Sequence, residues 1–464
     1  MAHQHTALDR RTALKLAAMG TTGLFLSPRS LFAEEPESKT TPYRNLRRPN
    51  VVIVLADDLG WRDTGYQGSP YAKTPQLDDM AAKGVRFDYF YAAQQMCSPG
   101  RFGILTGRAP FRCGIPFLDP IRPEEITIAK ALKTSGYATG HFGKWHLGSG
   151  PVHPTNMGFD ISWYSPNFFD IGGKLTCGKE TAVVTDDSSV FTMDLAIDWI
   201  RKQVAAKQPF FSYVCFGSPH DPHRGADRFK ALYKDVSVPP EFKAAKASSF
   251  ADFYAEISGV DAAVGKLRAA LRELKVADDT LVWFTSDNGG IKPFSKDQAG
   301  LGKGRIGVRT AACLEWPARI TKPIRTDCAC VHMDMYPTIL DIAGVRIPNQ
   351  PVVDGVSLAP LLEGRMARRE KPIGFMLGPS KDRLPNTDFV TGTSAVWIDG
   401  NYKLSIPAGV GGKGNLKLVE IYADPAEKTD LAAKEPERVK KMCADLDTWR
   451  KSVRDSYDGK DYRS

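Results

Sequence analysis

The stretch Val-Val-Ile-Val-Leu-Ala at residues 51–56 leads directly into two carboxylates, Asp57 and Asp58. Six consecutive apolar residues, four of them β-branched, are typical of a strand buried on both faces of a parallel sheet. Open α/β sheets bind their ligands beyond the carboxyl ends of such strands. Two adjacent carboxylates there are costly unless hydrogen bonds or a cation satisfy them. Alternatively, the pair could simply cap the next helix.

The same arrangement of an apolar run followed by polar groups occurs three more times. The further runs, which we expect to be strands, are residues 137–142, 209–216 and 280–285. The ion-binding or proton-transferring side chains that follow them are Lys144, His146, His220, Asp287 and Asn288. If the four strands are parallel, all these groups lie at the same edge of the sheet.

Helical patterns lie between these runs and beyond them, at residues 75–83, 127–135, 191–204, 250–274 and 333–343. Strands that alternate with helices predict an α/β fold, a large and mostly parallel sheet sandwiched by helices. The composition turns charged near residue 366, and short strands and a helix at residues 436–454 follow. We therefore predict a catalytic domain at residues 49–366. A smaller C-terminal subdomain at residues 367–464 should contain an antiparallel sheet and a terminal helix.

The pentapeptide Cys-Ser-Pro-Gly-Arg at residues 97–101 opens another predicted helix. Pro99 suits the first turn of a helix, where its missing N–H has no partner to lose. This places Cys97 at the positive end of the helix, where an acidified thiol and a bound anion are expected. Taken alone, the pentapeptide favours a cysteine that only packs at a helix start, and it is the neighbouring sequence that changes this interpretation.

The pentapeptide resembles the Cys-x-Pro-x-Arg signature of the type I sulfatases, members of the alkaline-phosphatase-like superfamily in which this cysteine becomes formylglycine. The similarity includes residues 50–60, Thr-Pro at 74–75 and Gly-Val-Arg-Phe at 84–87, and it extends to about residue 431. It implies the alkaline-phosphatase/sulfatase-like fold. The implied activity is a sulfuric ester hydrolase that releases inorganic sulfate from a sulfate monoester, most plausibly of a carbohydrate.

The resemblance also implies the residues of the site. The catalytic residues would be Cys97, Arg101, Lys144, His146, His220 and Lys303. The metal ligands would be Asp57, Asp58, Cys97, Asp287 and Asn288. Oxygen ligands favour a hard cation, calcium or magnesium, over zinc, and the family implies one calcium ion.

The implied mechanism uses the hydrated aldehyde at position 97. One of its hydroxyls attacks sulfur, and loss of the proton from the second hydroxyl then releases sulfate and restores the aldehyde. His146 would assist at the diol, and His220 would protonate the leaving alcohol or bind a sulfate oxygen. The cations at positions 101, 144 and 303 would neutralise the sulfate.

The loop around Lys303 departs from the family pattern, because it is shortened and lacks the usual acidic residue. Either Lys303 still reaches the sulfate, or Arg305 or Arg309 takes its place. A solvated glycine-rich loop is an equally open interpretation. Two further segments, residues 149–190 with their aromatic side chains and residues 376–393, are expected near the substrate.

Residues 1–33 resemble a twin-arginine signal peptide, with Arg10-Arg11 before a mildly apolar stretch and a cleavage site after Ala33. We expect export by the twin-arginine machinery, to the periplasm or out of the cell. Cleavage would remove four basic side chains and one acidic one, so the net charge falls from +9 to +6. The expected partners are a sulfated glycan and the formylglycine-generating enzyme, with no nucleic acid and no stable membrane span.

Two alternative functions remain open. The first is a phosphodiester or phosphonate ester hydrolase of the same superfamily. The second is a non-catalytic glycan-binding relative, which should have lost Cys97, Asp57 or Asp287. All three residues are present, and the intact pentapeptide favours the sulfatase.

Overall fold

The apolar run after Pro49 forms a strand, Asn50–Ala56, in the middle of a ten-stranded sheet. The computed structural model describes residues 48–114, 120–238, 247–290, 308–377, 393–407 and 416–462. The predicted signal peptide, Lys303, Arg305 and most of the segment at 376–393 lie outside these residues.

The described strands, in chain order, are β1 (Asn50–Ala56), β2 (Val85–Phe87), β3 (Phe90–Tyr91), β4 (Ala138–Lys144), β5 (Ile161–Ser165), β6 (Lys174–Cys177), β7 (Glu180–Val183), β8 (Phe210–Cys215), β9 (Thr280–Ser286), β10 (Arg309–Thr310), β11 (Ala312–Glu315), β12 (Ile324–Thr326), β13 (Cys330–Val331), β14 (Ile373–Leu377), β15 (Ser394–Asp399), β16 (Tyr402–Ile406) and β17 (Lys417–Glu420). The described α-helices are α1 (Pro75–Lys83), α2 (Cys97–Thr106), α3 (Ile128–Lys133), α4 (Ser188–Ala205), α5 (Asp227–Lys230), α6 (Ala247–Glu273), α7 (Met335–Ala343), α8 (Ala359–Leu362) and α9 (Pro436–Tyr457).

The strand order of the large sheet is β12-β2-β11-β9-β1-β8-β4-β5-β6-β7. Its five central strands, from β9 to β5, are parallel to one another. This confirms the predicted parallel sheet and makes the four predicted strands immediate neighbours. The flanks differ from the prediction, because β11 pairs antiparallel with β9 and β6 pairs antiparallel with β5. These flanking strands are short, so their sequences contain too little periodicity to reveal them.

Helices cover both faces of the large sheet. Successive side chains of a strand point to opposite faces, and accordingly Val51 and Val52 belong to different core clusters. One cluster contains side chains of α2, α3 and α7, whereas the other contains side chains of α1, α4 and α6. The helix-covered α/β fold is therefore confirmed. Among the described helices, no segment is both long enough and apolar enough to cross a bilayer.

The C-terminal strands β14 to β17 form a separate four-stranded antiparallel sheet in sequential order. Helix α9 packs on it, with Met442 and Leu446 against Leu404 and Leu418. The predicted small sheet with a terminal helix is therefore confirmed. The boundary proposed at residue 366 falls between α8 and β14 and stays a prediction.

A buried ion pair connects the terminal helix to the chain segment that follows α2. Arg112 reaches both oxygens of Asp354, with Nε 2.7 Å from Oδ2 and Nη2 2.8 Å from Oδ1. The indole Nε1 of Trp449, on α9, donates to the same carboxylate at 2.8 Å. Burial by itself would raise the pKa of Asp354, but the guanidinium of Arg112 holds that pKa well below its ordinary value.

Removal of this carboxylate should destabilise the fold. We expect Asp354→Ala to lower the free energy of unfolding by about 3 to 5 kcal/mol, because it leaves Arg112 buried without its partner. Denaturant unfolding at neutral pH measures the change. The control Asp447→Ala, whose side chain is 61% exposed, should change it by less than about 1 kcal/mol.

The effect should also depend on pH with a defined sign. Since the folded-state pKa of Asp354 is depressed, its contribution is complete above the unfolded-state value of about 4 and decreases as the pH falls through the folded-state pKa. A loss below 1 kcal/mol at neutral pH would contradict this account of the ion pair.

Candidate active site

The carboxyl ends of the central strands bring buried charged groups together. Asp57 and Asp58 follow β1, and Asp287 and Asn288 follow its neighbour β9, with Ala56 paired to Ser286 across the two strands. Lys144 is the last residue of β4. All five polar side chains are almost completely buried. The edge expected from the sequence therefore exists.

Helix α2 begins at Cys97 and points its first turn into this edge. The Sγ atom of Cys97 lies 3.3 Å from Oδ1 of Asp57 and 3.6 Å from Oδ1 of Asp58. The first turn of α2 also passes close to the end of β9. This approach requires glycine at position 100, because a Cβ atom there would lie 1.9 Å from the backbone oxygen of Asp287. The glycine of the pentapeptide thus brings the cysteine to the carboxylates.

Two cations pair with two of the three carboxylates. Lys144 Nζ lies 2.6 Å from Oδ2 of Asp57. Arg101 contacts Oδ2 of Asp287 through Nε at 2.9 Å and through Nη2 at 2.8 Å. In the part of the chain that the structure describes, Asp58 has no lysine or arginine within ion-pair distance. The cluster therefore has three carboxylates but only two permanent cations.

The shortage of positive charge affects the carboxyl groups themselves. Burial, followed by the charge of Asp287, raises the pKa of Asp58. Burial, followed by the charge of Asp57, raises the pKa of Asp287. Both carboxylates would be better satisfied by an added cation. The composition of the cluster, mostly carboxylate oxygen, fits a hard cation.

The atoms that could hold this cation differ slightly from the predicted set. One ligand atom each from Asp57, Asp58, Cys97 and His220 lie within 4.8 Å of one another. The Oδ2 atom of Asp287 is occupied by Arg101, and its Oδ1 accepts the backbone N–H of Asp58 at 3.2 Å. The geometry thus adds His220, which the sequence assigned to the substrate, to the possible ligands.

One expectation about Cys97 is wrong. Its place at a helix start predicts an acidified thiol, but the pKa of Cys97 is raised well above its ordinary value. Burial is the main cause, and the carboxylates of Asp287 and Asp57 add to it. Water exclusion and negative charge therefore outweigh the helix end. The unmodified thiol remains protonated at neutral pH and is a weak nucleophile.

His146 lies beside the start of α2. Ser98, the residue after Cys97, donates a hydrogen bond to the backbone oxygen of His146, whose φ is 57°. Burial and the neighbouring cations Lys144 and Arg101 lower the pKa of His146 to about 3. Its imidazole is therefore neutral at pH 7. The Nδ1 atom is buried and has no hydrogen-bond partner among the described residues.

His220 faces the carboxylate that lacks a cation. Its Nε2 lies 3.6 Å from Oδ2 of Asp58, and its Nδ1 lies 2.5 Å from the backbone oxygen of Asp221. The ring of Phe168 lies 5.1 Å from the imidazole, centroid to centroid. Phe168 is thus adjacent to the site. Phe169, its neighbour in the aromatic segment, is instead buried in an internal cluster.

Five of the six predicted catalytic residues therefore meet at one edge, and the sixth, Lys303, lies outside the described residues. Arg309, one of its suggested replacements, is described. Its guanidinium stacks between the rings of Trp61 and Tyr89 and donates to the backbone oxygen of Asp88. Arg309 is therefore engaged away from the carboxylate cluster.

The sequence did not reveal Glu256, a buried residue of α6 behind the His220 loop. Its carboxyl group accepts the backbone N–H of Arg224 and a hydrogen bond from Ser218. These contacts bracket the segment that contains His220. Burial raises the pKa of Glu256 well above its ordinary value. The only signal was a glutamate adjacent to the apolar stripe of α6, which surface residues also show.

The fold, the site and the family match together define a sulfatase-type hydrolase of the alkaline-phosphatase-like superfamily. The family model described as Sulfatase matches residues 49–345. The chain belongs to the sulfatase family, and it is an enzyme that hydrolyses sulfate esters.

Individual relatives support this membership. The chain is 32% identical to N-acetylgalactosamine-6-sulfatase of Sus scrofa over 375 residues, which cover 71% of this chain and 69% of the relative. It is 34% identical to arylsulfatase A of Homo sapiens over 367 residues, 68% of each protein. The crystal structure of Ps i-CgsB in complex with a neocarrahexaose superposes with a TM-score of 0.76 at 25% identity. That match covers 88% of this chain and 94% of the other.

The approach of α2 to β9 can be tested at Gly100. Because a Cβ atom would collide with backbone, we expect Gly100→Ala to lower the melting temperature by several degrees and sulfate release by at least about tenfold. The control is Gly364→Ala, where φ is 71° but no atom lies within 4 Å. It should show only the cost of backbone strain, about 1 kcal/mol, and normal sulfate release. Equal behaviour of the two variants would contradict the proposed contact.

Proposed function

We propose that this enzyme releases inorganic sulfate from a sulfated carbohydrate by means of a formylglycine formed from Cys97 and one calcium ion. The observation that carries the proposal is the buried cluster around Cys97, in which no described lysine or arginine lies within ion-pair distance of Asp58. The sugar in the name of the Sus scrofa relative and the neocarrahexaose bound to Ps i-CgsB support a carbohydrate substrate.

Calcium fits the cluster by charge and by ligand chemistry. Asp57 and Asp58 would hold it through carboxylate oxygens, together with residue 97, the oxygen Oδ1 of Asp287 and the side-chain amide of Asn288. A bound calcium ion supplies positive charge that polarises a sulfate oxygen. Asn288 now turns its Nδ2 to Asp58 and Asp287, so its amide would rotate to present oxygen to the ion.

Residue 97 needs modification because its thiol is held protonated. As formylglycine, it supplies a hydrated aldehyde whose oxygen replaces the poorly nucleophilic sulfur. The net reaction consumes one water molecule, breaks the sulfur–oxygen ester bond, and yields an alcohol and inorganic sulfate. The position of residue 97 at the first turn of α2 also directs backbone N–H groups towards the anionic substrate.

The surrounding side chains divide the remaining work. Lys144 uses one donor on Asp57, which leaves its other two N–H groups for a sulfate oxygen. Arg101 donates from Nε to Asp287 and from Nη1 to the backbone oxygen of Lys144 at 2.6 Å, so it holds these two residues in place. Neutral His146 can accept a proton from residue 97, and His220 can donate one to the leaving alcohol. Lys303 remains a proposed sulfate ligand.

Cellular placement follows from the same proposal. A twin-arginine leader would export the folded enzyme to the periplasm or beyond. A formylglycine-generating enzyme would act on Cys97 before export. A sulfated glycan would then be met outside the cytoplasm.

The role of Cys97 can be tested directly. Produced in a host with formylglycine-generating activity, the peptide that contains residue 97 should have the mass of the aldehyde. Cys97→Ala should lower the rate of sulfate release from 4-nitrophenyl sulfate by more than about 10³-fold. The control Cys443→Ala, on α9, should keep wild-type activity. Full activity from protein in which residue 97 is an unmodified thiol would refute the proposal.

Removal of calcium should reversibly stop sulfate release. Asp58→Asn should weaken calcium binding, measured by titration calorimetry on chelator-treated protein, by about 10- to 100-fold. Asp227→Asn, whose side chain is fully exposed, is the matched control and should bind normally. Because the pKa values of Asp58 and Asp287 are raised, calcium affinity should begin to decline at a higher pH than it would for carboxylates with ordinary pKa values. Undiminished turnover in excess chelator would contradict a calcium enzyme.

A phosphonate monoester hydrolase is the main alternative within the superfamily. The phosphonate monoester hydrolase of Agrobacterium radiobacter shares the fold, with a TM-score of 0.64 at 21% identity. Matched turnover of 4-nitrophenyl sulfate and 4-nitrophenyl phenylphosphonate separates the two functions. A higher kcat/KM for the phosphonate ester would favour the alternative.

A further inference from the structure

A continuous row of arginine and aromatic side chains lies on the surface beside the site. We call it the arginine–aromatic strip, and its members are Arg62, Trp61, Arg309, Tyr89, Tyr422 and Arg368. They come from five separate parts of the chain, including the C-terminal region. None of them belongs to the carboxylate cluster.

Cations and rings alternate along most of the strip. The guanidinium carbon of Arg309 lies 3.7 Å from the ring centroid of Trp61 and 4.1 Å from that of Tyr89. Tyr89 meets Tyr422 edge to face at 5.0 Å, and Arg368 covers Tyr422 at 4.9 Å. Stacking of this kind fixes the directions of the long arginine side chains before any ligand arrives.

The strip has an excess of positive charge. Asp88 is shared by Arg86 and Arg325, which reach it through Nε at 2.9 Å and 2.7 Å, and its backbone oxygen accepts from Arg309. Among the described contacts, Asp88 accepts a hydrogen bond only from the Nε atom of Arg86 and from the Nε atom of Arg325. The terminal N–H groups of these two arginines are therefore available to a ligand. With Asp327 near Arg368, the described contacts place these two acids against four arginines, Arg86, Arg309, Arg325 and Arg368. Such a surface attracts a polyanion.

The strip begins close to the reaction site. Trp61 is three residues after Asp58, so their Cα atoms are at most about 11 Å apart. A bridge between Gly60 and Thr310 fixes this corner and brings Arg309 to Trp61. A polymer held at this end of the strip therefore lies near the carboxylate cluster.

We propose that the arginine–aromatic strip binds a sulfated polysaccharide and holds the polymer while one of its sulfate esters occupies the pocket. The guanidinium forks match the oxygens of sulfate groups, and exposed ring edges offer apolar contact to sugars. The alternation of arginine side chains and aromatic rings along the strip matches a polymer in which sulfate groups and sugar rings alternate. This inference rests on the proposed carbohydrate substrate.

Binding can be measured without turnover, in a Cys97→Ala background. The probe is fluorescein-labelled dextran sulfate, followed by anisotropy at several salt concentrations. The strip variant combines Arg62→Gln and Arg368→Gln with Arg325→Gln, a residue that adjoins the strip through Asp88. The side chains of Arg325 and Arg368 are 68% and 52% exposed. We expect the Kd for dextran sulfate to rise at least about tenfold. The slope of log Kd against log salt concentration should become smaller by roughly two to three, because three phosphate-like contacts are lost.

A matched control removes three exposed arginines elsewhere, by Arg201→Gln, Arg346→Gln and Arg438→Gln, whose side chains are 46%, 67% and 42% exposed. It should bind like the Cys97→Ala parent, and all proteins should melt within a few degrees of one another. Equal loss of binding in both triple variants would show only a general charge effect and overturn the proposal. Unchanged binding in the strip variant would overturn it as well.

Two competitors test the chemistry of the ligand. Unsulfated dextran should not displace the probe, and polyglutamate should displace it only at much higher concentration. Duplex DNA that binds as tightly as dextran sulfate would instead indicate a nucleic-acid surface and refute the proposal. Failure of wild-type enzyme to hydrolyse any sulfate ester would refute the proposed function, whereas the binding result would stand by itself.

Discussion

Three carboxylates confined at the ends of two adjacent strands are the constraint on which the rest of the site depends. Asp57, Asp58 and Asp287 are all removed from water, and charges so placed are stable only with partners. Lys144 supplies one partner because β4 lies two strands away from β1 and ends at the same edge. Arg101 supplies the other because α2 approaches β9 at Gly100. Sheet order and helix placement are therefore coupled to the charge balance.

The charge balance of the site explains the raised pKa of Cys97. In hydrolases that use a thiolate, neighbouring positive groups lower the pKa of the cysteine. Here burial and the nearby carboxylates act in the opposite direction. A site that suppresses a thiolate but retains a cysteine among metal-type ligands is suited to a cysteine that is converted to another group. The same carboxylates that disfavour the thiolate favour a bound cation.

Much of the fold could be predicted from the sequence because its central strands are long, apolar and each followed by polar groups. Parallel pairing then forces Asp57, Lys144 and Asp287 to one edge, as expected. The antiparallel flanks were not predictable from such short strands. The thiol's pKa was predicted in the wrong direction, since a local helix argument cannot count carboxylates brought in from distant strands. Glu256 was not predicted for the same reason, because its hydrogen bond is to a loop more than thirty residues before it in the chain.

The arginine–aromatic strip contributes to substrate binding, whereas the carboxylate edge contributes to the chemical step. Contacts between a polymer and Arg368 or Tyr422 are distant from the reacting sulfate, so they are equally strong before and during the reaction. Such contacts lower KM but leave kcat unchanged, whereas Lys144 and His220 act where charge develops. Because Tyr422 and Arg368 follow the large sheet in the chain, variation near the C-terminal sheet can change which polymer is held without disturbing the chemistry. A single buried edge can in this way serve many sulfated glycans, with selectivity set by the surface around it.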